Sequence, residues 1–208
     1  MEDAIRTDRL SKSYGRRRVV DQLDLRVPRG CVYGLLGRNG AGKSTTLKML
    51  AGMVRPDSGR AELLGEDVAT LSPKTRKRIA YLAEGHPLYG SMTIRQAVAF
   101  MRAFHPDADM RLVVQALEHF ALSPNAKIGR LSKGQKAQVS LVLAIAPDPE
   151  LLLLDDPTLG LDTNVRRDFL ESMIHLIQRR GRTILFIALC RFLSRRGGRC
   201  QARPPLPR

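Results

Sequence analysis

Residues 37–44 read GRNGAGKS, that is Gly37, Arg38, Asn39, Gly40, Ala41, Gly42, Lys43 and Ser44, and this stretch decides the fold. It fits a glycine, four residues, then Gly-Lys followed by Ser or Thr, the pattern of a phosphate-cradling loop. Its flanks supply the setting that such a loop needs. An apolar run at 31–36 reads as a strand, and 45–53 reads as a helix. Gly37, Gly40 and Gly42 let the backbone wrap so that successive amides point inward at phosphate oxygens, and the helix that follows turns its positive end to the same anion. Arg38, Asn39, Ala41 and Thr45 belong to this cradle by position. Lys43 adds a full positive charge at the β- and γ-phosphates, and the Ser44 hydroxyl is a hard oxygen ligand suited to Mg²⁺.

Working outward, a second element supports the first. Four leucines at 151–154 lead into Asp155-Asp156-Pro157, an apolar strand ending in two carboxylates. Ligands bind at the carboxyl ends of strands in open α/β sheets. Asp155 is then the Mg²⁺-side carboxylate, and Asp156 is the candidate to orient and deprotonate water. Further strands are expected at 23–27, 79–82 and 183–188. The last of these and 151–155 are nearly continuous apolar runs, as in strands covered on both faces. Helices are expected at 93–104 and 107–120, broken at His105-Pro106, and at 139–146, which is apolar all round and should be buried. Val165, Phe169, Leu170, Met173, Ile174 and Ile177 recur at helical spacing and predict one more. The expected class is α/β: a phosphate-loop core with a mostly parallel sheet plus a helical subdomain. The core would comprise 1–84 and 149–190, interrupted by a helical insertion at 85–148.

The chain has 208 residues, of which 43% are apolar and 26% charged, an ordinary globular composition. Its longest charge-free runs, 139–146 and 183–190, fall short of the roughly 18 residues of a membrane span. Met1-Glu2-Asp3-Ala4 carries acids where a signal peptide needs cations, which points to the cytoplasm. Cys31, Cys190 and Cys200 are scattered and lack CxxC spacing, which argues against a disulfide framework or a zinc site. The net charge is +15, but six arginines and no acid fall in 191–208, leaving +9 for the rest. Clusters at Arg16-Arg17-Arg18 and at Lys74, Arg76, Lys77 and Arg78 read as solvated faces. They lack the interleaved aromatics that hold bases, so no specific nucleic acid is expected as a partner. His86, His105, His119 and His175 read as loop or helix-surface residues.

Leu131-Ser132-Lys133-Gly134-Gln135, placed before a helix and shortly before the Asp-bearing strand, resembles the LSGGQ signature of the ATP-binding subunits of ABC transporters. The order of phosphate loop, signature, Asp155-bearing strand and Leu159-Gly160-Leu161-Asp162 is specific to that family, and the resemblance covers about residues 4–188. It implies ATP and Mg²⁺ as ligands. It also implies a head-to-tail dimer with a second ATP-binding subunit, in which Ser132, Gly134 and Gln135 cap the γ-phosphate of the ATP held opposite. Asp162 is counted by the same resemblance among the nucleotide-binding residues. By the same resemblance Tyr14 stacks on adenine, and the subunit serves separate transmembrane permease subunits from the inner face of the membrane. The segments around Arg130–Val139 and Tyr81–Glu84 look most like the exporter type.

Four positions depart from the family pattern. Glu84 stands where many relatives have Gln, and a carboxylate there can still ligate Mg²⁺ and take part in catalysis. Lys133 replaces a signature Gly. Asp156 replaces a Glu, which shortens the reach toward water by up to about 1.5 Å. Leu189 stands where the family has a histidine. Two other readings follow: a nucleotide-binding subunit impaired in hydrolysis or truncated, and a soluble ABC protein acting on ribosome or DNA. The family pattern keeps step through Thr183-Ile184-Leu185-Phe186 and then stops. The bias of 191–208 toward Arg, Pro and Gly is what GC-rich codons yield out of frame, so this tail is expected to be disordered or out of frame.

Overall fold

The computed structural model describes residues 2–158, 161, 181–189 and 201–202. Expectations at Leu159, Gly160, Asp162, 165–177 and most of 191–208 lie outside them. Two sheets make up the strand layers. The first is antiparallel, ordered β2-β1-β4-β5, from β1 (Asp3–Tyr14), β2 (Arg17–Pro28), β4 (Ser58–Leu63) and β5 (Glu66–Asp67). The second, ordered β6-β7-β8-β3-β9, comprises β3 (Val32–Gly37), β6 (Ile79–Leu82), β7 (Leu151–Leu154), β8 (Thr183–Leu189) and β9 (Gln201–Ala202). It is parallel throughout except for β9, which runs against β3. The α/β class with a mostly parallel sheet and a helical part is the one expected.

The side-chain period of two explains the unbroken leucine run of β7. Leu151 and Leu153 join Leu185 and Ile187 in a core shared with the antiparallel sheet and with α1 (Lys43–Leu50). Leu152 and Leu154 turn to the other side, where Leu82, Ile184, Leu141 and Ile145 bury them. Each such leucine contributes roughly 1.5–3 kcal/mol on burial, so β7 is anchored from both faces. The strand end that carries Asp155 is fixed accordingly.

The short α2 (Pro73–Arg76) precedes β6, and between β6 and β7 lie α3 (Ile94–Phe104), α4 (Met110–His119) and α5 (Lys133–Ile145), with their own core of Ile94, Val98, Val113, Leu117, Ile128, Val139 and Val142. Thr93 caps α3 in a reciprocal box with Gln96, and Asp109 caps α4. The helix expected at 139–146 begins earlier, at Lys133. Its start was masked by polar Lys133, Gly134, Gln135 and Lys136, and Ser132 is the N-cap that sets it.

Two expectations need correction. The antiparallel sheet was missed except for a piece of β2, because register shifts between Thr7 and Leu10 and between Leu10 and Lys12 break the alternation that marks a half-buried strand. His86 is not on the surface. It is 7% exposed, in the left-handed region at φ 50°.

Candidate functional site

The phosphate loop sits between β3 and α1 at the carboxyl end of the parallel sheet, where the sequence places it. Gly42 adopts φ 83°, and a Cβ there would lie 2.3 Å from the Val19 carbonyl oxygen. Only glycine fits, for steric and conformational reasons together. Buried Lys43 folds back so that its ammonium donates to the Gly37 carbonyl at 2.8 Å and to the Arg38 carbonyl at 2.9 Å. Its charge is therefore held over the loop, beside the positive end of α1.

Register brings the carboxylates to the loop. Because β8 pairs with β3 on one side and β7 on the other, the ends of β3 and β7 lie one strand apart. The Ser44 hydroxyl donates to Asp155 Oδ1 at 2.8 Å, and the Tyr81 hydroxyl donates to Oδ2 at 3.2 Å. Burial, and then the Asp155 charge, raise the Tyr81 phenol well above its ordinary range, so it remains a proton donor at any working pH. Leu189 ends β8 opposite Gly37 in register, which places the residue found instead of a histidine at the same sheet edge.

Asp156 follows at φ 41°, and its carboxylate accepts from the Thr158 hydroxyl at 3.3 Å. His86 packs near this turn. Neither of its ring nitrogens makes a hydrogen bond to a described residue. Burial pulls its basicity below the ordinary value, while the nearby Pro157 carbonyl and Asp156 carboxylate act in the opposite sense.

A cleft of about 430 Å³ opens over these groups, lined by Tyr14, Arg17, Val19, Asn39, Gly40, Gly42, Lys43, Ser44, Thr45, Glu84, Asp156 and Ile187. It gathers most of the expected residues from four separate parts of the chain. Tyr14 stands at its rim, 52% exposed, with the Lys12 ammonium 5.8 Å from the ring centre. Ser132, Gly134 and Gln135 do not line it. The Ser132 hydroxyl accepts from the Gln135 amide at 3.2 Å, and the Gln135 side chain accepts from the Ser132 amide at 3.0 Å, a capping box on the exposed start of α5. In the sequence Arg17 reads only as one of a solvated cluster and Val19 carries no signal, and only the pairing of β1 with β2 brings them here.

The donor set suits Mg²⁺ bound together with a polyphosphate. Ser44 and Asp155 offer hard oxygens within hydrogen-bond distance of each other, and Glu84 lines the same cleft. No group of three or more His, Cys, Asp or Glu among the described residues forms a cage for a metal. Mg²⁺ needs none where phosphate oxygens complete its shell.

Comparison with known proteins agrees with this geometry. The family described as ABC transporter matches residues 20–159. The Nod factor export ATP-binding protein I of Paraburkholderia xenovorans (strain LB400) is 39% identical over 189 residues, covering 88% of this chain and 62% of that protein. The bacitracin transport ATP-binding protein BcrA of Bacillus licheniformis is 33% identical over 190 residues, covering 90% and 62%. A solved structure titled as the ATP binding subunit of an ABC transporter superposes with a TM-score of 0.78 at 30% identity, over 90% of this chain and 80% of that one. The chain spans about three fifths of the length of the curated relatives it matches.

Proposed function

Because the chain belongs to the ABC transporter family, in the part that binds ATP, we propose that it is an ATP-binding subunit that couples ATP binding and hydrolysis to export. It would act through separate transmembrane permease subunits and pair with a second ATP-binding subunit. The single observation that carries this reading is the 2.8 Å hydrogen bond from Ser44 to Asp155, which closes the phosphate loop onto the carboxylate strand. That contact unites the two halves of a Mg²⁺–nucleotide site from residues 111 positions apart.

In this reading Tyr14 stacks on adenine, and the loop amides from Gly40 to Thr45 hold the phosphates. Lys43 exchanges its carbonyl partners for phosphate oxygens. Mg²⁺, when bound, would neutralise charge on the phosphates, held by Ser44, Asp155 and Glu84. Asp156 orients the attacking water. The exposed start of α5 leaves Ser132, Gly134 and Gln135 free to face a nucleotide on an opposite subunit. The division into a discontinuous core, 1–84 with 149–190, and a helical subdomain, 85–148, belongs to the same reading.

Export is favoured by the relatives, one named for Nod factor export. No helix among the described residues is long and apolar enough to cross a membrane, so the pathway would come from other subunits, with this one on the cytoplasmic face. Tyr89, Phe100 and Phe104 form an exposed edge-to-face aromatic ladder beside the loop that carries Glu84, which suits docking of a permease segment. A second reading, impaired hydrolysis, is favoured by Asp156, whose short side chain is buried and tied to Thr158.

Calorimetric titration with MgATP tests the site. Lys43→Ala should abolish binding. Equal affinity in the two proteins would remove the central claim.

A further inference from the structure

Three consecutive arginines follow the β1–β2 turn, and the fold treats them differently. Arg18 pairs with Asp21 at 3.0 Å. Arg17 lies directly across from Tyr14 in the hairpin register. Cross-strand neighbours of this kind have Cβ atoms roughly 4.5–5.5 Å apart, so Arg17 starts from the same part of the cleft rim as the tyrosine. The guanidinium reaches over the lip of the phosphate loop: a Cβ built on Gly40 would lie 3.3 Å from Arg17 Nη2. No carboxylate among the described residues forms an ion pair with it. The cleft is thus lined by Lys43, by the positive end of α1 and by an uncompensated guanidinium. Positive groups converge this closely at low cost only where an anion joins them.

The geometry points to Arg17 as a phosphate-contacting residue of the nucleotide site, reaching the polyphosphate from the lip of the loop at Gly40. This rests on the reading of the cleft as an ATP site and adds to it a specificity-determining cation. A planar guanidinium presents paired N–H donors to a phosphate. Base and polyphosphate would therefore be gripped by two neighbours on one rigid ribbon. Nucleotides with a phosphate chain gain from this contact, and adenosine does not.

The test is calorimetric titration of MgATP, MgADP and adenosine into the full chain and into Arg17→Ala, Arg17→Lys, Arg16→Ala and Lys43→Ala. Arg17 is exposed, so its removal spares the core. Arg17→Ala should weaken MgATP and MgADP binding by about tenfold or more, the scale of one lost charge-assisted hydrogen bond, and leave adenosine unchanged. Arg17→Lys should recover part of the loss. Arg16→Ala removes the same charge from the same turn and should have less than about a twofold effect at 0.15 M salt. Equal losses in Arg16→Ala and Arg17→Ala would reduce the effect to general charge and overturn the assignment, as would unchanged MgATP affinity in Arg17→Ala beside a clear loss in Lys43→Ala. A parallel loss for adenosine would move the contact off the phosphates and also overturn it. A wild-type chain that binds no MgATP would fail the reading of the site itself.

Discussion

At the end of β3 the site is built from backbone, and at the end of β7 it is built from side chains. The phosphate loop owes its shape to glycine φ values, the Gly42–Val19 approach and the N-terminus of α1, none of which can relax without the fold. The carboxylate end is held by three hydroxyls: Ser44 and Tyr81 on Asp155, and Thr158 on Asp156. Beside it sit a strained aspartate and a buried histidine whose ring makes no hydrogen bond among the described residues. Backbone-built sites tolerate no substitution, whereas sites built from side chains can be weakened or improved one group at a time. Substitutions at the two ends should therefore differ in kind.

Gly42→Ala should have the largest effect. Its methyl group would clash with the Val19 carbonyl, at 2.3 Å, in a conformation that non-glycine residues rarely adopt. Loss of MgATP binding should accompany a stability loss of at least about 1–3 kcal/mol. Calorimetry and thermal melting check both. Wild-type affinity in this variant would break the contrast at its rigid end.

Asp156→Glu should move the other way and raise ATP turnover, measured with the membrane partners present. Asp and Glu have nearly the same intrinsic acidity, so any deficit in Asp156 is positional. About 1 Å of misplacement can cost on the order of 100-fold, which bounds the gain. Unchanged or lower turnover would mean that the φ of 41° already brings the shorter carboxylate forward.

These two residues also mark what the sequence makes legible. The loop could be read because amides wrapped around an anion demand glycines at fixed spacing, and Asp155 because a buried strand demands an apolar run. By contrast β1 was illegible, its period of two being broken by shifts at Leu10 and Lys12 and its exposed face being charged. Arg17 reads as one of three solvated arginines until the hairpin register selects it. His86 reads as a loop residue, since its burial depends on packing against the turn at Pro157, some seventy residues away in the chain. Each of these misses depends on partners distant in sequence.

Tyr81→Phe offers a smaller and more selective perturbation of the side-chain end. It removes the 3.2 Å hydrogen bond to Asp155 Oδ2 while Ser44 still reaches Oδ1. Losing one hydrogen bond of about 1 kcal/mol should raise the Mg²⁺ needed for half-maximal ATP binding by roughly fivefold. Nucleotide binding without Mg²⁺ should not change. An equal loss with and without Mg²⁺ would show that Tyr81 shapes the cleft as a whole rather than Asp155.

The smallest effect is expected at His86, and it is one of stability. Its imidazole is buried with neither nitrogen bonded among the described residues, so the fold bears the cost of desolvating a polar group. Leucine has similar bulk and no such cost, and His86→Leu should stabilise the chain by about 1 kcal/mol despite the φ of 50° that both residues must adopt. The pH dependence gives the sign independently. Burial lowers the folded-state basicity of His86 below its ordinary value of 6.5, so in the window just below that value the unfolded chain binds the proton and the folded chain does not. Wild-type stability should therefore fall as pH drops through that window, by an amount that disappears in His86→Leu. The advantage of the leucine variant, read from urea melts, should widen from pH 7.5 to pH 5.5, conditions chosen to straddle about 6.5. A constant difference would mean that the imidazole charges equally well inside the fold, and that this part of the carboxylate end is wet rather than buried.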